Sequence, residues 1–296
     1  MSNFQELLES KGIAVADGAW GTQLSERGLQ PGEAPESWVI HQPDAVRDVA
    51  QSYVNAGAEI VLTDTFGGSR FKLAKCQLDD RIEEINRNAV ELSKDAAGTS
   101  ALVFASIGPT GEFMEPLGTI SEEEMIEVFT EQVRAMVAGG TDGLLIETMT
   151  DLGEATAALK AAKDAFDGPI VVSMTFDRGP KGYATMMGVR PGQAAAELQA
   201  AGATVAGSNC GHGIENMIEV IGLMKDACDL PIWAKPNAGM PQLVAGRTVF
   251  NETPEQMAAH FGDLVEAGAR IIGGCCGTTP EHISALAQAR DAMTDQ

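Results

Sequence analysis

At 296 residues, 44% hydrophobic and 21% charged, the chain is long enough for one large domain or two ordinary ones around a sizeable core. Its formal net charge of −22 argues against nucleic acid and anionic membrane surfaces as partners, because both would repel it. No apolar run is long enough for a transmembrane helix, Met1 to Gly12 is too polar for a signal peptide, and five cysteines read as reduced thiols, so a cytoplasmic setting is expected.

Taken in chain order, short apolar runs rich in β-branched residues alternate with helical patterns. The expected strands are 13–17, 58–63, 101–106, 143–147, 169–174, 203–207, 231–235 and 269–273, each bounded by turn residues. The expected helices are 44–56, 79–96, 121–138, 152–165, 192–201, 214–227, 254–267 and 280–292. Ser121-Glu-Glu-Glu124 matches a capping box, and Thr253-Pro254 and Thr279-Pro280 place an N-cap before a first-turn proline. Ala-Gly-Ala recurs at 56–58, 201–203 and 267–269, where glycine suits a helix end that feeds directly into a strand. Eight such units with near-continuous apolar strands predict a parallel sheet closed into a single (β/α)8 barrel, one domain over 1–296. The irregular stretches 27–42 and 174–191 are expected to lie over the barrel mouth, and Cys76 and Cys228 are expected to be buried, inert thiols.

The chain's chemistry concentrates at Gly273-Gly-Cys-Cys-Gly-Thr278. Adjacent cysteines rarely bond to each other, because the ring they close is strained, so a thiophilic metal is the obvious reason to place both there. Catalytic groups in such barrels sit at the carboxyl ends of strands. Those ends carry Asp17, Thr63-Asp64, Glu147-Thr148, Ser208-Asn-Cys210, Lys235-Pro-Asn237 and Cys275-Cys276. Cys210 is therefore the third sulfur. Three cysteines and one exchangeable position form the catalytic pattern of zinc rather than its closed structural one. His212, beside Cys210, reads as a solvated loop histidine.

These motifs resemble those of the homocysteine S-methyltransferases, especially the homocysteine-binding module of cobalamin-dependent methionine synthase. The likeness spans nearly the whole chain, through Asp17-Gly-Ala-Trp-Gly-Thr22, Thr63-Asp-Thr-Phe-Gly67, Ile107-Gly-Pro109, Leu145-Ile-Glu-Thr148, Gly207-Ser-Asn-Cys-Gly211, Pro236-Asn-Ala-Gly239 and Gly273-Gly-Cys-Cys-Gly-Thr278. The resemblance implies zinc held by Cys210, Cys275 and Cys276, with the homocysteine thiol as incoming fourth ligand and methionine as product. It implies that Glu147 binds the substrate ammonium, and that Asp17 and the backbone from Gly18 to Thr22 line the same pocket, with Thr148 beside them. Asn209 is expected to orient the adjacent sulfur, and Asn237 to offer an oxygen to the metal when substrate is absent. Two positions depart from the family pattern. Trp20 replaces a small residue or methionine, and Asp64 replaces an asparagine beside a substrate that carries a carboxylate.

With only two tyrosines in the chain, an aromatic cage for an onium donor is poorly supplied. The expected donor is methylcobalamin or methyltetrahydrofolate, delivered by a separate corrinoid or folate protein. Direct use of betaine or S-methylmethionine is one alternative, and a non-catalytic zinc- or thiol-binding subunit is another.

Overall fold

The computed structural model describes residues 3–211, 213–244 and 247–294. Eight strands form one parallel sheet: β1 (Ala14–Val15), β2 (Ile60–Val61), β3 (Leu102–Ile107), β4 (Gly143–Met149), β5 (Ile170–Met174), β6 (Val205–Cys210), β7 (Ile232–Pro236) and β8 (Ala269–Ile272). Each pairs with its sequence neighbour, β8 pairs with β1, and a bridge from Ala16 to Ile60 joins β1 to β2 and closes the ring. Helices lie between successive strands, as in a TIM-type barrel.

The strands β1 and β2 are shorter than expected, with two residues each. The reason lies in Asp17, whose side-chain Oδ2 accepts the Leu62 amide at 2.8 Å, so a carboxylate takes over where the backbone ladder stops. The expected helix 254–267 is broken into Pro254–Ala259 and Phe261–Glu266. At the break the His260 amide bonds Met257 O, three residues back instead of four. The stretch 27–42 carries a 3-10 turn (Pro35–Ser37) and a short helix (Trp38–His41), and 174–191 carries a two-stranded hairpin. Cys76 is exposed, against expectation, because it follows the short helix Arg70–Ala74 in a surface turn; Cys228 is buried. Among the described residues no helix is long and apolar enough to cross a membrane.

The pleat sets what faces inward. Residues in register across a sheet share a face, and alternate residues alternate faces. Ser106, Leu145, Val171 and Val205 are in register, and so are Ser173, Gly207, Trp233 and Ile271. The inward set is apolar at the amino ends of the strands and polar at their carboxyl ends. Its apolar part, including Ile60, Phe104, Val171 and Trp233, forms a core separate from the larger one between strands and helices.

The helix Asn3–Lys11, which the hydrophobic pattern did not announce, stoppers the amino end of the barrel. Its Phe4 is buried against Phe104, ring centroids 5.4 Å apart, and Phe104 in turn stacks on Trp233 at 6.4 Å. Removing a buried aromatic costs transfer energy and leaves a cavity. Phe4→Ala is expected to lower the unfolding free energy by about 3 kcal/mol, measured by urea denaturation, while metal stoichiometry stays that of the wild type. A loss below about 0.5 kcal/mol, the usual scale for surface changes, would show that the plug carries no packing energy.

Candidate active site

The end of β8 must approach the end of β1 closely. A Cβ at Gly273 would stand 2.7 Å from Asp17 O, and one at Gly274 2.4 Å from Thr278 Oγ1, so only glycine fits either position. Backbone bonds then lock the turn: the Gly274 amide donates to Asp17 O and the Cys275 amide to Pro236 O. Cys210 ends β6 with φ +63°, and Thr148 near the end of β4 has φ +60°. Such conformations in residues with a side chain mark functional sites when the surroundings enforce them.

Here the enforcing residue is Asn209. Its Oδ1 accepts the Thr148 amide at 2.9 Å and the Ser173 hydroxyl at 2.7 Å, while its Nδ2 donates to Thr148 Oγ1 at 2.7 Å. The same Nδ2 lies 3.7 Å from Cys275 Sγ. One buried amide thus ties β4, β5, β6 and a cysteine together.

The three cysteines meet. Sγ of Cys210 lies 3.0 Å from that of Cys275 and 3.9 Å from that of Cys276, and the last two are 4.0 Å apart. Three sulfurs bound at ~2.3 Å to one tetrahedral ion stand about 3.8 Å from each other. Two edges already match, and the third needs only a small opening. A soft, all-sulfur donor set of this size suits zinc, and it is the metal-type cluster found among the described residues. Without metal, thiol hydrogen bonds from Cys210 and then Cys275 pull Cys276 down to about 3, while Cys210 is pushed up by its bonds to Cys275 and Cys276 and by burial. Loading a cation therefore releases protons. Asn237 adds a buried Oδ1 with no hydrogen-bond partner, while its Nδ2 donates to Gly211 O. His212 falls outside the described residues.

A cleft of about 490 Å³ opens on this cluster; Gly18, Trp20, Asp64, Glu147, Thr148 and the three cysteines are in its wall. Asp17, Asn209 and Asn237 are buried behind it. Asp17 is fully engaged: Lys235 Nζ donates to Oδ1 at 2.6 Å, and Oδ2 takes both the Leu62 amide and, at 2.8 Å, the Trp20 indole N–H. The unexpected tryptophan is therefore a partner of Asp17. Lys235 was visible as a strand-end residue without an assigned role; in the fold it is the buried counter-charge of the floor. Burial alone would favour its neutral form, but Asp17 and Glu147 outweigh that and hold it protonated above the ordinary lysine value.

Glu147 accepts the Ser106 hydroxyl at 2.5 Å, and burial raises its carboxyl to about 7 although Lys235 opposes the shift. Asp64 is raised well above the usual carboxylate range, by burial and then by Glu36. Glu36 itself, from the mouth loop, accepts the Gly67 amide and is raised by burial. Nothing in Pro35-Glu-Ser-Trp38 distinguished it from a solvated loop acid. Only the folding of that loop onto the mouth buries it.

Fold and strand-end chemistry together define a TIM-type barrel with a three-cysteine, metal-ready mouth. The profile described as homocysteine S-methyltransferase matches residues 14–290, and the chain belongs to that family of methyl-transferring enzymes. It is 30% identical to methionine synthase of Mycobacterium leprae over 306 residues, which covers 96% of this chain and 25% of that protein. The Mycobacterium tuberculosis methionine synthase is likewise 30% identical, over 95% of this chain and 25% of its own length. The chain thus spans about a quarter of those relatives. The homocysteine methyltransferase MmuM of Escherichia coli superposes in its metallated form with a TM-score of 0.81, at 25% identity, covering 96% of this chain and 99% of that one. Its apo form gives 0.76 at 26% identity, covering 96% and 98%.

Two outcomes follow from the floor. Lys235→Met leaves Asp17 as an uncompensated buried charge, so a loss of roughly 3–5 kcal/mol is expected in urea melts, partly recovered by adding Asp17→Asn. For Glu147 the native carboxyl keeps its proton up to about 7, against 4.5 for the unfolded group. Its contribution is present below 4.5 and lost as pH rises to about 7. In metal-free protein, wild type should lose about 3 kcal/mol relative to Glu147→Gln across that window. Parallel pH profiles of the two proteins would contradict the assignment.

Proposed function

We propose that this chain is a zinc-dependent homocysteine S-methyltransferase, one barrel module over 1–296, that forms methionine with a methyl group brought by a separate carrier protein. The carrying observation is the convergence of Cys210, Cys275 and Cys276 on one point of a cleft that also contains a buried acid, Glu147. Bound by these cysteines, zinc supplies a deprotonated yet nucleophilic thiol at neutral pH. Asn237 Oδ1, buried and unpartnered, is the oxygen that would be available to such a metal in the absence of substrate.

Glu147 receives the substrate ammonium in a charge-assisted bond, oriented by Ser106. Asn209 acts through others, holding Thr148 and Cys275 in place. Asp17 and Lys235 fix the floor and the segment Gly18–Thr22 above it. In the transfer a carbon–sulfur bond forms while the donor's bond to the methyl breaks, and the bonding pair leaves with the donor.

A protein-borne donor is supported by the rim. Six exposed large apolar side chains (Phe66, Phe113, Leu117, Met186, Met240 and Leu243) stand on segments that follow the carboxyl ends of strands. Such a collar suits docking by another protein. The similarity to a part of methionine synthase supports a corrinoid or folate carrier, and the five unpaired thiols fit a cytoplasmic setting. The alternative donors, betaine or S-methylmethionine, need no carrier, and the test below separates them from the carrier reading.

The test is zinc-edge absorption on the loaded protein. One zinc per chain is expected, with a fourth sulfur joining when homocysteine is added, and Cys275→Ala should lose the metal. Absence of that added sulfur would sink the reading. Turnover of the isolated chain with betaine or S-methylmethionine alone would discard the carrier.

A further inference from the structure

Asp64 presents a chemical problem that the proposed reaction does not use. It is 4% exposed, and its Oδ2 is buried with no hydrogen-bond partner. Among the described residues no cation pairs with it; the charged group that acts on it is another acid, Glu36, whose own oxygen is occupied by the Gly67 amide. The titratable groups sharing the cleft are Glu36 from the turn Pro35–Ser37, Lys72 from the helix Arg70–Ala74, Glu147 and Lys235 on the floor, and Cys210, Cys275 and Cys276 at the ends of β6 and β8, which add negative charge and no cation. Lys72 acts on Glu36, and Lys235 is committed to Asp17. A carboxylate so placed would be desolvated, unpaired and repelled; a carboxylic acid would not. As an acid Asp64 is a neutral hydrogen-bond donor. That is also what an asparagine supplies at this point.

Position says what it could serve. In a ring of eight, β2 lies opposite β6, so Asp64 faces Cys210 across the mouth, with Glu147 on β4 between them. An amino acid with its sulfur at the cysteines and its ammonium at Glu147 has one group left, a carboxylate.

We infer that Asp64 is a specificity residue for the acceptor, its protonated carboxyl donating a hydrogen bond to the carboxylate of the thiol amino acid. This rests on the proposed function above. The departure from asparagine is then chemically conservative at neutral pH and becomes a liability only when the proton is lost.

The experiment is calorimetric titration of the zinc-loaded wild type, Asp64→Ala and Asp64→Asn. The ligands are homocysteine and 3-aminopropane-1-thiol, which keeps the thiol and ammonium but lacks the carboxylate. Asp64→Ala should weaken homocysteine roughly 10- to 100-fold, Asp64→Asn should restore most of that affinity, and the carboxylate-free thiol should bind all three alike. As pH is raised, wild type should lose homocysteine affinity relative to Asp64→Asn; the ligand's own titration cancels in that ratio. At neutral pH, the infrared difference between wild type and Asp64→Asn should contain the carbonyl stretch of a protonated acid. Equal losses for both ligands in Asp64→Ala, or no protonated-acid band, overturns the inference alone. Failure of wild type to bind either thiol overturns the functional reading, and this with it.

Discussion

The barrel mouth holds more acid than base, and its organisation follows from that imbalance. Asp17, Glu147, Asp64 and Glu36 are buried beside three half-buried or exposed cysteines, and Lys235 is the buried cation among them. Ionising all of these groups at once would cost far more than any fold returns. The structure resolves the conflict unequally. Asp17 takes the lysine and two further donors, whereas Glu147, Asp64 and Glu36 are pushed towards their neutral forms. The cysteines share protons among themselves. What the site lacks is positive charge. A divalent metal and a substrate ammonium are the two cations that the proposed reaction brings to it.

That electrostatic tension is held by backbone geometry rather than by flexible side chains. Thr148 on β4 and Cys210 on β6 both sit at positive φ, one strand apart in the ring, and Asn209 bonds to one while preceding the other. The strain at two strand ends is thus met by a single saturated amide at zero exposure. Close glycine contacts at Gly273 and Gly274 do the same for the cysteine pair, bringing β8 against Asp17. Placing the ligands on strand ends rather than long loops gives the cluster its fixed spacing.

Much of this was readable from residues alone, for a specific reason. Period-two strands in a closed barrel decide which residues point inward, so Glu147, Asn209, Lys235 and Cys275 could be placed at the mouth once their strands were recognised. The Gly-Gly-Cys-Cys-Gly turn and Asn209-Cys210 each follow their own strand, which fixed the metal-type cluster. Lys235 was visible at its strand end, yet its pairing with Asp17 spans 218 positions and no local pattern encodes it. Glu36 was hidden altogether, since its burial depends on how a loop lands. Phe4 was missed because a short, polar helix gives little amphipathic signal, and one aromatic does the plugging. The exposure of Cys76 reversed a compositional rule, because the thiol falls just past a short helix rather than within one.

Floor and rim therefore answer to different physics. The floor is built from strand ends and held by the saturated side chains of Asp17 and Asn209, with Asp64 Oδ2 and Asn237 Oδ1 left unpartnered, so it can select an acceptor by charge and geometry. The rim is built from connecting segments, with Leu117 and Leu243 turned to solvent at 68% and 78% exposure. A soluble surface tolerates scattered apolar residues, but here they cluster on the side where a methyl donor must enter. Within the cleft, Trp20 has its indole N–H on Asp17 and Phe66 is 39% exposed, so neither forms an enclosed cage for a small cation. An acceptor site completed inside the barrel, beneath a donor side left open and apolar, is the division expected when the second reactant arrives on a protein of its own.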